Sequence, residues 1–368
     1  MCIVLATTAH PKYALVVVDN RDEYILRPTS RPHWWTAEPE PHITNGSAET
    51  KSPSQVQILS SRDLQRAERG TWLGITKGGN FAVLTNYRET DTNDAAHPVH
   101  GTRSRGGMVT AWLRADPAES TKHFVHRMLD HGGVKGVGGF SLICGKLRRA
   151  SAREEKNIEP LAIISNRCDH VGQVPWICGQ RGSVYGLSNA TYLEPGKESN
   201  EPLWPKIRNG ADLLSHAVAT ASDEQELVAS LFNILDTDSF PSDHTIDLEE
   251  GIPLLKDSIF VPAFGGKEHQ DEMSEAQQRG NVKETGHNPP AAETLTIAAR
   301  PDEQLNGFQT GLYGTQRQTV ILVDWDGNVT YTERALWDPN GNPVSRGEGD
   351  ETFKFKIEGW EQEAGLYN

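Results

Sequence analysis

The chain begins MCIVLATT (residues 1–8), continues through AHPK (9–12) and returns as YALVVVD (13–19). Both apolar stretches are rich in β-branched residues, which favour strands, and Pro11 between them favours a turn. The pattern predicts a β-hairpin. Because neither strand alternates apolar with polar residues, we expect its sheet to be covered on both faces.

The far end of the second strand carries polar residues that the hairpin brings back to the start of the chain. With the turn near Pro11, Cys2 lies roughly opposite the segment from Asp19 to Arg21. Cross-strand neighbours have Cβ atoms about 4.5–5.5 Å apart. The thiol of Cys2, the guanidinium of Arg21 and the carboxylate of Asp22 are therefore expected to meet at one edge of the sheet.

A cysteine at position two also has a chemical interpretation. A small residue there normally allows removal of Met1, which would leave Cys2 with both a thiol and a free α-amine. The amine has a reference pKa of about 7.7–8.0 and the thiol about 8.5, so the amine can take the thiol proton. Arg21 would favour the thiolate, and Asp22 would orient the amine. The alternative is an ordinary buried strand thiol beside polar residues that end a strand.

The rest of the chain contains strand groups separated by helix pairs. Further strands are predicted at residues 71–76, 80–86, 140–144, 161–165, 184–187, 319–325 and 328–333, the last two joined by an Asp326-Gly327 turn. Helices are predicted at 107–114, 120–131, 205–221 and 223–235, with Ser222 as the N-cap of the last. This order indicates an α+β protein in which helix layers enclose sheets.

The composition excludes several classes of protein. Lysine and arginine number 36 and acidic residues 50, and a net charge of −14 disfavours nucleic acid or an anionic membrane as the main partner. Four scattered cysteines without a CxxC pair do not make a disulfide scaffold or a zinc ribbon. The apolar runs are strand-sized and no secretory signal is recognisable, so we expect a soluble, intracellular protein that does not span a membrane.

Two stretches are predicted as inserts within a single domain over residues 1–368. The first, at about 36–69, is polar and contains proline and serine. The second, at 265–305, is dominated by Glu, Gln, Asn, Gly and Pro and has few large apolar residues. Since such a composition buries too little surface to offset the entropy of ordering, we expect the second insert to be disordered.

Short motifs spread over the chain resemble those of one family. They are Met1-Cys2, Asn20-Arg21-Asp22-Glu23, Arg27-Pro28-Thr29, Trp34-Trp35, 82–88 (AVLTNYR), 139–142 (GFSL), 185–189 (YGLSN), 204–206 (WPK), 258–260 (SIF), 313–315 (YGT), 319–324 (TVILVD) and Glu333-Arg334. Their order is that of the NRDE family, also called transport and Golgi organisation protein 2. The resemblance implies a four-layer αββα sandwich of antiparallel sheets, as in the N-terminal-nucleophile hydrolases choloylglycine hydrolase and penicillin acylase.

The resemblance also assigns expected roles to five residues. Cys2 matches the nucleophile, and Arg21 and Asp22 match its polar neighbours. Asn86 and Asn189 are similar to the two asparagines that serve the oxyanion and the amine network, where one amide donor to an oxyanion is worth roughly 2.7–4 kcal/mol. The alternative for each asparagine is that it caps the end of a strand.

Four further residues are candidates for the wall of a pocket: Asn20, Arg88, Trp34 and Arg317. One of them departs from the family pattern, since many relatives read Tyr-Gly-Thr-Arg where this chain reads YGTQR (313–317). Either Arg317 supplies the same charge from the next position, or the alternation of strand residues turns it to the opposite face.

Two functions follow as hypotheses. The first is a binding protein whose pocket around Cys2 handles haem, lipid or acyl-CoA in intracellular trafficking and in secretory or mitochondrial upkeep. Its ligand would be a small amphipathic acid, and its location the cytoplasm, the Golgi or the mitochondrion. The second is an N-terminal cysteine amidohydrolase in which Cys2 attacks a small amide or thioester. Hydrolysis of this kind requires no cofactor and no metal.

Overall fold

The computed structural model describes residues 2–39, 55–87, 89, 104–150, 156–193, 203–283 and 310–361. The strands are β1 Ile3–Thr7, β2 Tyr13–Tyr24, β3 His33–Ala37, β4 Val56–Ser60, β5 Leu73–Thr76, β6 Asn80–Asn86, β7 Phe140–Lys146, β8 Leu161–Ser165, β9 Trp176–Ile177, β10 Val184–Leu187, β11 Tyr313–Asp324, β12 Asn328–Ala335 and β13 Asp350–Lys356. The helices are α1 Gly106–Leu113, α2 Thr121–Asp130, α3 Pro205–Thr220, α4 Glu224–Leu235, α5 Leu248–Gly251 and α6 Lys267–Arg279.

The predicted N-terminal hairpin lies inside the first sheet. Over the described residues this sheet has the order β10-β1-β2-β11-β12-β13, and every neighbouring pair is antiparallel. Ile3 pairs with Asn20 and Thr7 with Val16, so the hairpin prediction is confirmed. The second strand is longer than expected, because it continues through the NRDE tetrapeptide to Tyr24 while pairing with β11.

The second sheet is also antiparallel, with the order β3-β4-β5-β6-β7-β8-β9 in the described part of the chain. The sequence did not predict β3, β4, β9 or β13. Strand β4 lies within the predicted polar insert at 36–69, yet it pairs with both β3 and β5. That portion therefore belongs to the sheet, while residues 40–54 of the insert lie outside the described residues.

Three apolar clusters separate four layers. The first lies between the two sheets and includes Val4 and Val17. On the outer face of the first sheet, Leu5 and Val18 pack against α3 and α4, and a third cluster lies between the second sheet and α1 and α2. Successive strand residues point to opposite faces, so the continuously apolar strands supply both clusters. The predicted α+β, four-layer αββα sandwich is confirmed.

The start of α4 differs from the prediction by one residue. The N-cap is Asp223, whose carboxylate accepts the Glu226 backbone N–H at 2.8 Å. Ser222 stands one position earlier, where its backbone N–H and hydroxyl both donate to the Glu226 carboxylate. Serine and aspartate are both favoured N-caps, and local sequence does not decide between adjacent candidates.

The expected disordered insert at 265–305 is wrong for its first part, because residues Lys267–Arg279 form α6. Its residue Met273 is only 4% exposed, and Gln277 Nε2 donates to the Gly341 carbonyl at 2.7 Å. Gly280 ends the helix with a φ of 53°, the left-handed conformation that glycine adopts readily. The buried side chain of Met273 and the glycine at the C-terminus of α6 thus stabilise a helix in a mostly polar segment. Residues 284–305 lie outside the described residues.

No helix within the described ranges combines the length and the apolar character needed to cross a membrane.

Candidate functional site

Cys2 immediately precedes β1 at the edge where β2 carries its polar residues. The strand register pairs Ile3 with Asn20, and its continuation sets Cys2 across from Arg21. Cys2 is 2% exposed, and its sulfur accepts a hydrogen bond from the Asp22 backbone N–H. Burial raises the pKa of the Cys2 thiol to about 12, and the charge of Asp22 acts in the same direction. At neutral pH the resting residue is therefore a protonated thiol.

Asp22 is held by a residue of the neighbouring strand β11. Its side-chain oxygen accepts the Thr315 hydroxyl at 2.8 Å, and the same hydroxyl accepts the Val261 backbone N–H at 2.9 Å. Burial raises the pKa of the Asp22 carboxyl, while the charge of Lys206 and the Thr315 hydrogen bond act against that rise. Thr315 thus fixes the carboxylate in position beneath the Cys2 edge.

The two expected asparagines are brought together near Cys2 by a chain of hydrogen bonds. The Ser188 hydroxyl donates to the Cys2 carbonyl at 2.7 Å and lies 3.2 Å from Asn189 Oδ1. Asn189 Nδ2 in turn donates to the Asn86 carbonyl oxygen. The Asn86 side chain makes no hydrogen bond to another described residue, and it is only partly buried. Of the two carboxamides, that of Asn189 is therefore engaged by other described residues and that of Asn86 is not.

The guanidinium of Arg21 contacts three other residues of the described chain. Its Nη2 donates to Gln316 Oε1 at 2.9 Å and lies 3.4 Å from the Thr29 hydroxyl, and the group stacks 4.5 Å above the ring of Trp72. Because neighbouring strand residues alternate, Arg21 faces the space between the sheets while Asp22 faces the opposite side. Since the register sets Cys2 across from Arg21, these two residues share a face of the sheet, and the pairing of the Arg21 guanidinium with the Cys2 thiolate stays a prediction.

Two other cations lie within electrostatic range of Cys2, and neither was predicted from the sequence. Lys206, the second residue of α3, is 0% exposed and lies close enough to Asp22 and Cys2 for both charges to influence its pKa. Arg105 lies at the N-terminus of α1, within the same electrostatic range of Cys2. Burial lowers the pKa of both groups. The sequence feature at Lys206 is Trp204-Pro205-Lys206, in which the proline indicates the start of a helix.

The last residue of the tetrapeptide has a structural role. Glu23 accepts a hydrogen bond from Arg27 at 3.0 Å, and Arg27 also reaches Asp63 at 2.7 Å. Burial acts to raise the pKa of Glu23, but the adjacent Arg27 guanidinium overcomes it and holds that pKa below its usual range. This buried ion-pair group ties the end of β2 to the loop that follows β4.

Two of the predicted pocket residues have contacts with parts of the chain other than Cys2. Asn20 Nδ2 donates to the carbonyls of Leu235 and Ile259 at 2.8 and 2.9 Å, so it joins β2 to the helix layer. Trp34 packs edge-on against Phe355 of β13, with ring centroids 4.9 Å apart. Strand β13 is four positions from β1 in the first sheet. The side chain of Asn20 is thus engaged by the helix layer and that of Trp34 by β13, and Arg88 lies outside the described residues.

Arg317 is displaced by a β-bulge. Thr315 pairs with Asp22 and Arg317 with Arg21, so Gln316 is the extra residue between them. The bulge keeps Thr315 on Asp22 and turns Arg317 towards the space between the sheets, 3.9 Å from Glu333. Of the two alternatives, the structure therefore has Arg317 on the face opposite to Asp22.

The space beneath this edge contains further buried acids. Asp19 is 4% exposed, and burial raises its pKa to about 8 despite the opposing charge of Arg21. Glu333 accepts hydrogen bonds from Ser61 at 2.5 Å and from the Tyr331 hydroxyl at 3.1 Å. A polar cluster thus continues from the Cys2 edge into the interior between the sheets.

A cavity of about 500 Å³ lies at the other end of the hairpin. It is lined by Lys12, Tyr13, Glu224, Leu322, Asp324, Asn328, Val329, Thr330, Lys354, Phe355 and Lys356. Those residues adjoin the start of β2, so this cavity is separate from the thiol.

The fold and this edge together define a four-layer αββα protein with a buried thiol at the start of its first strand, among two cations, a carboxylate and two carboxamides. A sequence model of the family Transport and Golgi organisation 2 matches residues 1–338. The chain belongs to this family.

Relatives in animals and yeast align over most of their length. The Transport and Golgi organization protein 2 homolog of Bos taurus is 28% identical over 328 residues, which are 88% of this chain and 87% of that protein. The Homo sapiens homolog is 27% identical over 329 residues, 89% of this chain and 88% of that protein. An uncharacterized Saccharomyces cerevisiae protein is 25% identical over 376 residues, 97% of this chain and 100% of that protein.

Among solved structures, a mutant conjugated bile acid hydrolase from Clostridium perfringens is similar with a TM-score of 0.33 and 9% identity. That comparison covers 100% of both chains.

Proposed function

We propose that the chain takes an acyl compound, an amide or a thioester, at the Cys2 edge and that Cys2 Sγ attacks its carbonyl carbon. The observation that supports this most is the convergence of the thiol, the Asp22 carboxylate and the Ser188–Asn189–Asn86 hydrogen-bond chain at one end of the first sheet. A nucleophile, a proton-handling group and amide donors are the parts that acyl transfer requires.

Each part has a defined task in this proposal. Cys2 forms the bond to the acyl carbon, and the amine or thiol leaving group departs with a proton. The Asn86 side-chain amide, which no described residue engages, donates to the oxyanion that forms on the carbonyl. Water then hydrolyses the acyl-cysteine and regenerates the thiol. The Asp22 backbone N–H donates a hydrogen bond to Cys2 Sγ, and the Asp22 carboxylate places a negative charge near the thiol.

The test is hydrolysis of a panel of acyl-CoA thioesters and N-acyl amides by the purified full chain. We expect turnover that is lost in Cys2→Ala and lowered on the order of a hundredfold or more in Asn86→Ala. The matched control is Cys168→Ser, which changes a thiol in the other helix layer and should leave the rate unchanged. Turnover in Cys2→Ala equal to that of the wild type would contradict the proposal.

A second candidate is carriage of an acidic amphipathic ligand, acyl-CoA or haem, by the same site. The observation that favours it is a pair of cations within electrostatic range of Cys2, the fully buried Lys206 and the partly buried Arg105. A buried cation is costly unless it is paired, and an anionic ligand group would supply the partner. With relatives named for transport and Golgi organisation, this candidate includes a role in intracellular trafficking and in secretory or mitochondrial upkeep.

Ligand titration separates the two candidates. If the site is a carrier, purified protein binds acyl-CoA or haem with saturation, Cys2→Ala binds equally well, and Lys206→Met binds more weakly. The exposed residue Lys122 provides the control, since Lys122→Met removes the same charge from α2. Absence of saturable binding of both ligands at micromolar protein would rule the carrier out.

A further inference from the structure

We propose that the cavity of about 500 Å³ at the turn end of the N-terminal hairpin binds the phosphate group of a small soluble metabolite. We call it the lysine cavity, after Lys12, Lys354 and Lys356, which line it. Its residues take no part in either proposed function, because it lies at the end of β2 opposite to Cys2.

The lysine cavity lies where the first sheet extends beyond helix α4. The helix packs on β2 and β11, and β12 and β13 continue the sheet outward from there. In the strand register Leu322 pairs with Thr330, and Thr330 pairs with Lys354, so these residues lie side by side on the outer face. The result is a depression between the start of α4 and β13, with Leu322 and Thr330 at its floor.

Two lysines from opposite walls of the lysine cavity converge on one carboxylate. Lys12 Nζ lies 3.6 Å from Glu224 Oε2, and Lys354 Nζ lies 3.6 Å from Glu224 Oε1. The Tyr13 hydroxyl donates to Glu224 Oε2 at 2.7 Å, which holds the carboxylate in place. At 3.6 Å the ammonium groups are in ionic contact with Glu224 but beyond ordinary hydrogen-bond distance, so their N–H groups can donate to a ligand.

The acids of the lysine cavity do not balance its three lysines. Lys356 forms no ion pair with any acidic residue in the described part of the chain. Asp324, the second acid of the lining, accepts hydrogen bonds from the backbone N–H groups of Asp326 and Asn328 and from Asn328 Nδ2. Because its own turn engages Asp324, three ammonium groups share one carboxylate, in a chain whose net charge is −14.

This excess of ammonium groups favours a compact anion with several oxygen acceptors. Phosphate is such an anion, and lysine binds it as a point charge without the planar fork geometry of arginine. The Thr330 hydroxyl makes no hydrogen bond to another described side chain and can donate to the same group. The volume of the cavity is in the range of pockets for small ligands, which leaves space for an organic portion beside Leu322.

Lysines on an edge strand also have a second use, since they discourage the pairing of one molecule's edge with that of another. Strand β13 ends its sheet over the described residues, and Lys354 and Lys356 fit that use. It does not account for Lys12, which precedes β2 and reaches Glu224 from the opposite wall. Binding of an anion explains all three lysines together.

The experiment titrates the purified full chain with ADP and, separately, with inorganic pyrophosphate, by isothermal titration calorimetry at low ionic strength. The test variant is the double substitution Lys354→Gln/Lys356→Gln, in which both side chains are exposed, so the fold should be retained. The control Lys122→Gln/Lys256→Gln removes the same two charges from exposed positions elsewhere.

We expect saturable binding of at least one probe by the wild type and the control, weakened about tenfold or more in the test variant. Glu224→Gln keeps an acceptor for the Tyr13 hydroxyl but removes the competing charge, so it should strengthen binding roughly two- to fivefold. The matched control is Glu250→Gln, which removes the same charge from an exposed position of α5 and should change the affinity less.

Two results of the titrations would overturn the inference. One is the absence of saturable binding of both probes at millimolar concentration. The other is equal weakening in the two double variants, because the effect would then come from the net charge of the chain and not from the lysine cavity.

Vesicles of phosphatidic acid in phosphatidylcholine distinguish a soluble phosphate from a lipid headgroup. We expect the wild type to remain in solution when these vesicles are sedimented. Binding to the vesicles that is lost in the Lys354→Gln/Lys356→Gln variant would overturn the assignment to a soluble metabolite.

Discussion

Replacing Thr315 with valine tests how tightly the Asp22 carboxylate is held. The Thr315 hydroxyl makes two buried hydrogen bonds, donating to Asp22 Oδ1 at 2.8 Å and accepting the Val261 N–H at 2.9 Å. Valine has nearly the same shape and a good strand propensity, so Thr315→Val removes these bonds and changes little else on β11.

The magnitude follows from the two groups that lose their partner. A hydrogen bond to a charged group is worth about 1.5–3 kcal/mol, and an unsatisfied buried backbone N–H costs about 1–3 kcal/mol. The Asp22 carboxyl can take up a proton, which reduces the free energy lost with the hydrogen bond. We therefore expect a total cost in the lower half of the sum of these two ranges. Thr315→Val should therefore lower the free energy of unfolding by about 2.5–4 kcal/mol.

Urea denaturation followed by tryptophan fluorescence measures that free energy. The matched control is Thr332→Val on β12, whose hydroxyl contacts Thr352 Oγ1 at 3.0 Å and should contribute no more than about 1 kcal/mol. If Thr315→Val costs no more than Thr332→Val, the Asp22 carboxylate is not held as described, and the geometry of the Cys2 edge would need revision.

Two further predictions concern buried charge and helix capping. The folded pKa of Asp19 is raised to about 8, so the native state binds more protons than the unfolded state, and stability falls as pH rises from about 4 to about 8. Asp19→Asn should abolish much of that fall and be more stable than the wild type by a few kcal/mol at alkaline pH; equal pH profiles in thermal melts would contradict this. Asp223→Ala should lower the stability by about 1 kcal/mol and Ser222→Ala by less, as measured by urea denaturation; the reverse order would show that Ser222 is the N-cap.

The N-terminal hairpin could be predicted because its signals are local. Two apolar stretches and a proline turn define the pairing, and pairing alone sets Cys2 near the polar end of β2. The same holds for β11 and β12, where Gly327 has the positive φ of 79° that a tight turn requires. Strands β3, β4 and β9 were missed because they are short or lie in polar sequence that only the sheet context orders.

The composition of the site could be predicted only in part. Asp22, Asn86 and Asn189 lie near Cys2, and Arg21 lies across from it in the strand register, but the side chains of Arg21 and Asp22 point to opposite faces of the sheet. Strand alternation explains the difference, since adjacent residues of β2 face opposite sides of the sheet. Consecutive polar residues of a strand therefore do not act as one group.

Lys206 and Arg105 could not be found from spacing. They belong to two helices on opposite sides of the sandwich, far from Cys2 in the sequence, and the site brings them together only through the packing of α3 and α1. Local sequence shows a helix start at Pro205 but not the burial of the following residue. Burial is a tertiary property, and here it is set by the packing of α3 on the first sheet.

The central claim, that Cys2 is a nucleophile, is tested most directly by trapping an acyl-cysteine. Purified protein is mixed with an acyl-CoA or an activated amide, quenched in acid and digested for mass spectrometry. We predict an acyl mass on the Cys2 peptide that disappears on longer incubation as water hydrolyses it, with Cys144, Cys168 and Cys178 unmodified. Persistent absence of any acyl mass on Cys2, in protein that iodoacetamide labels at that residue, would contradict the claim.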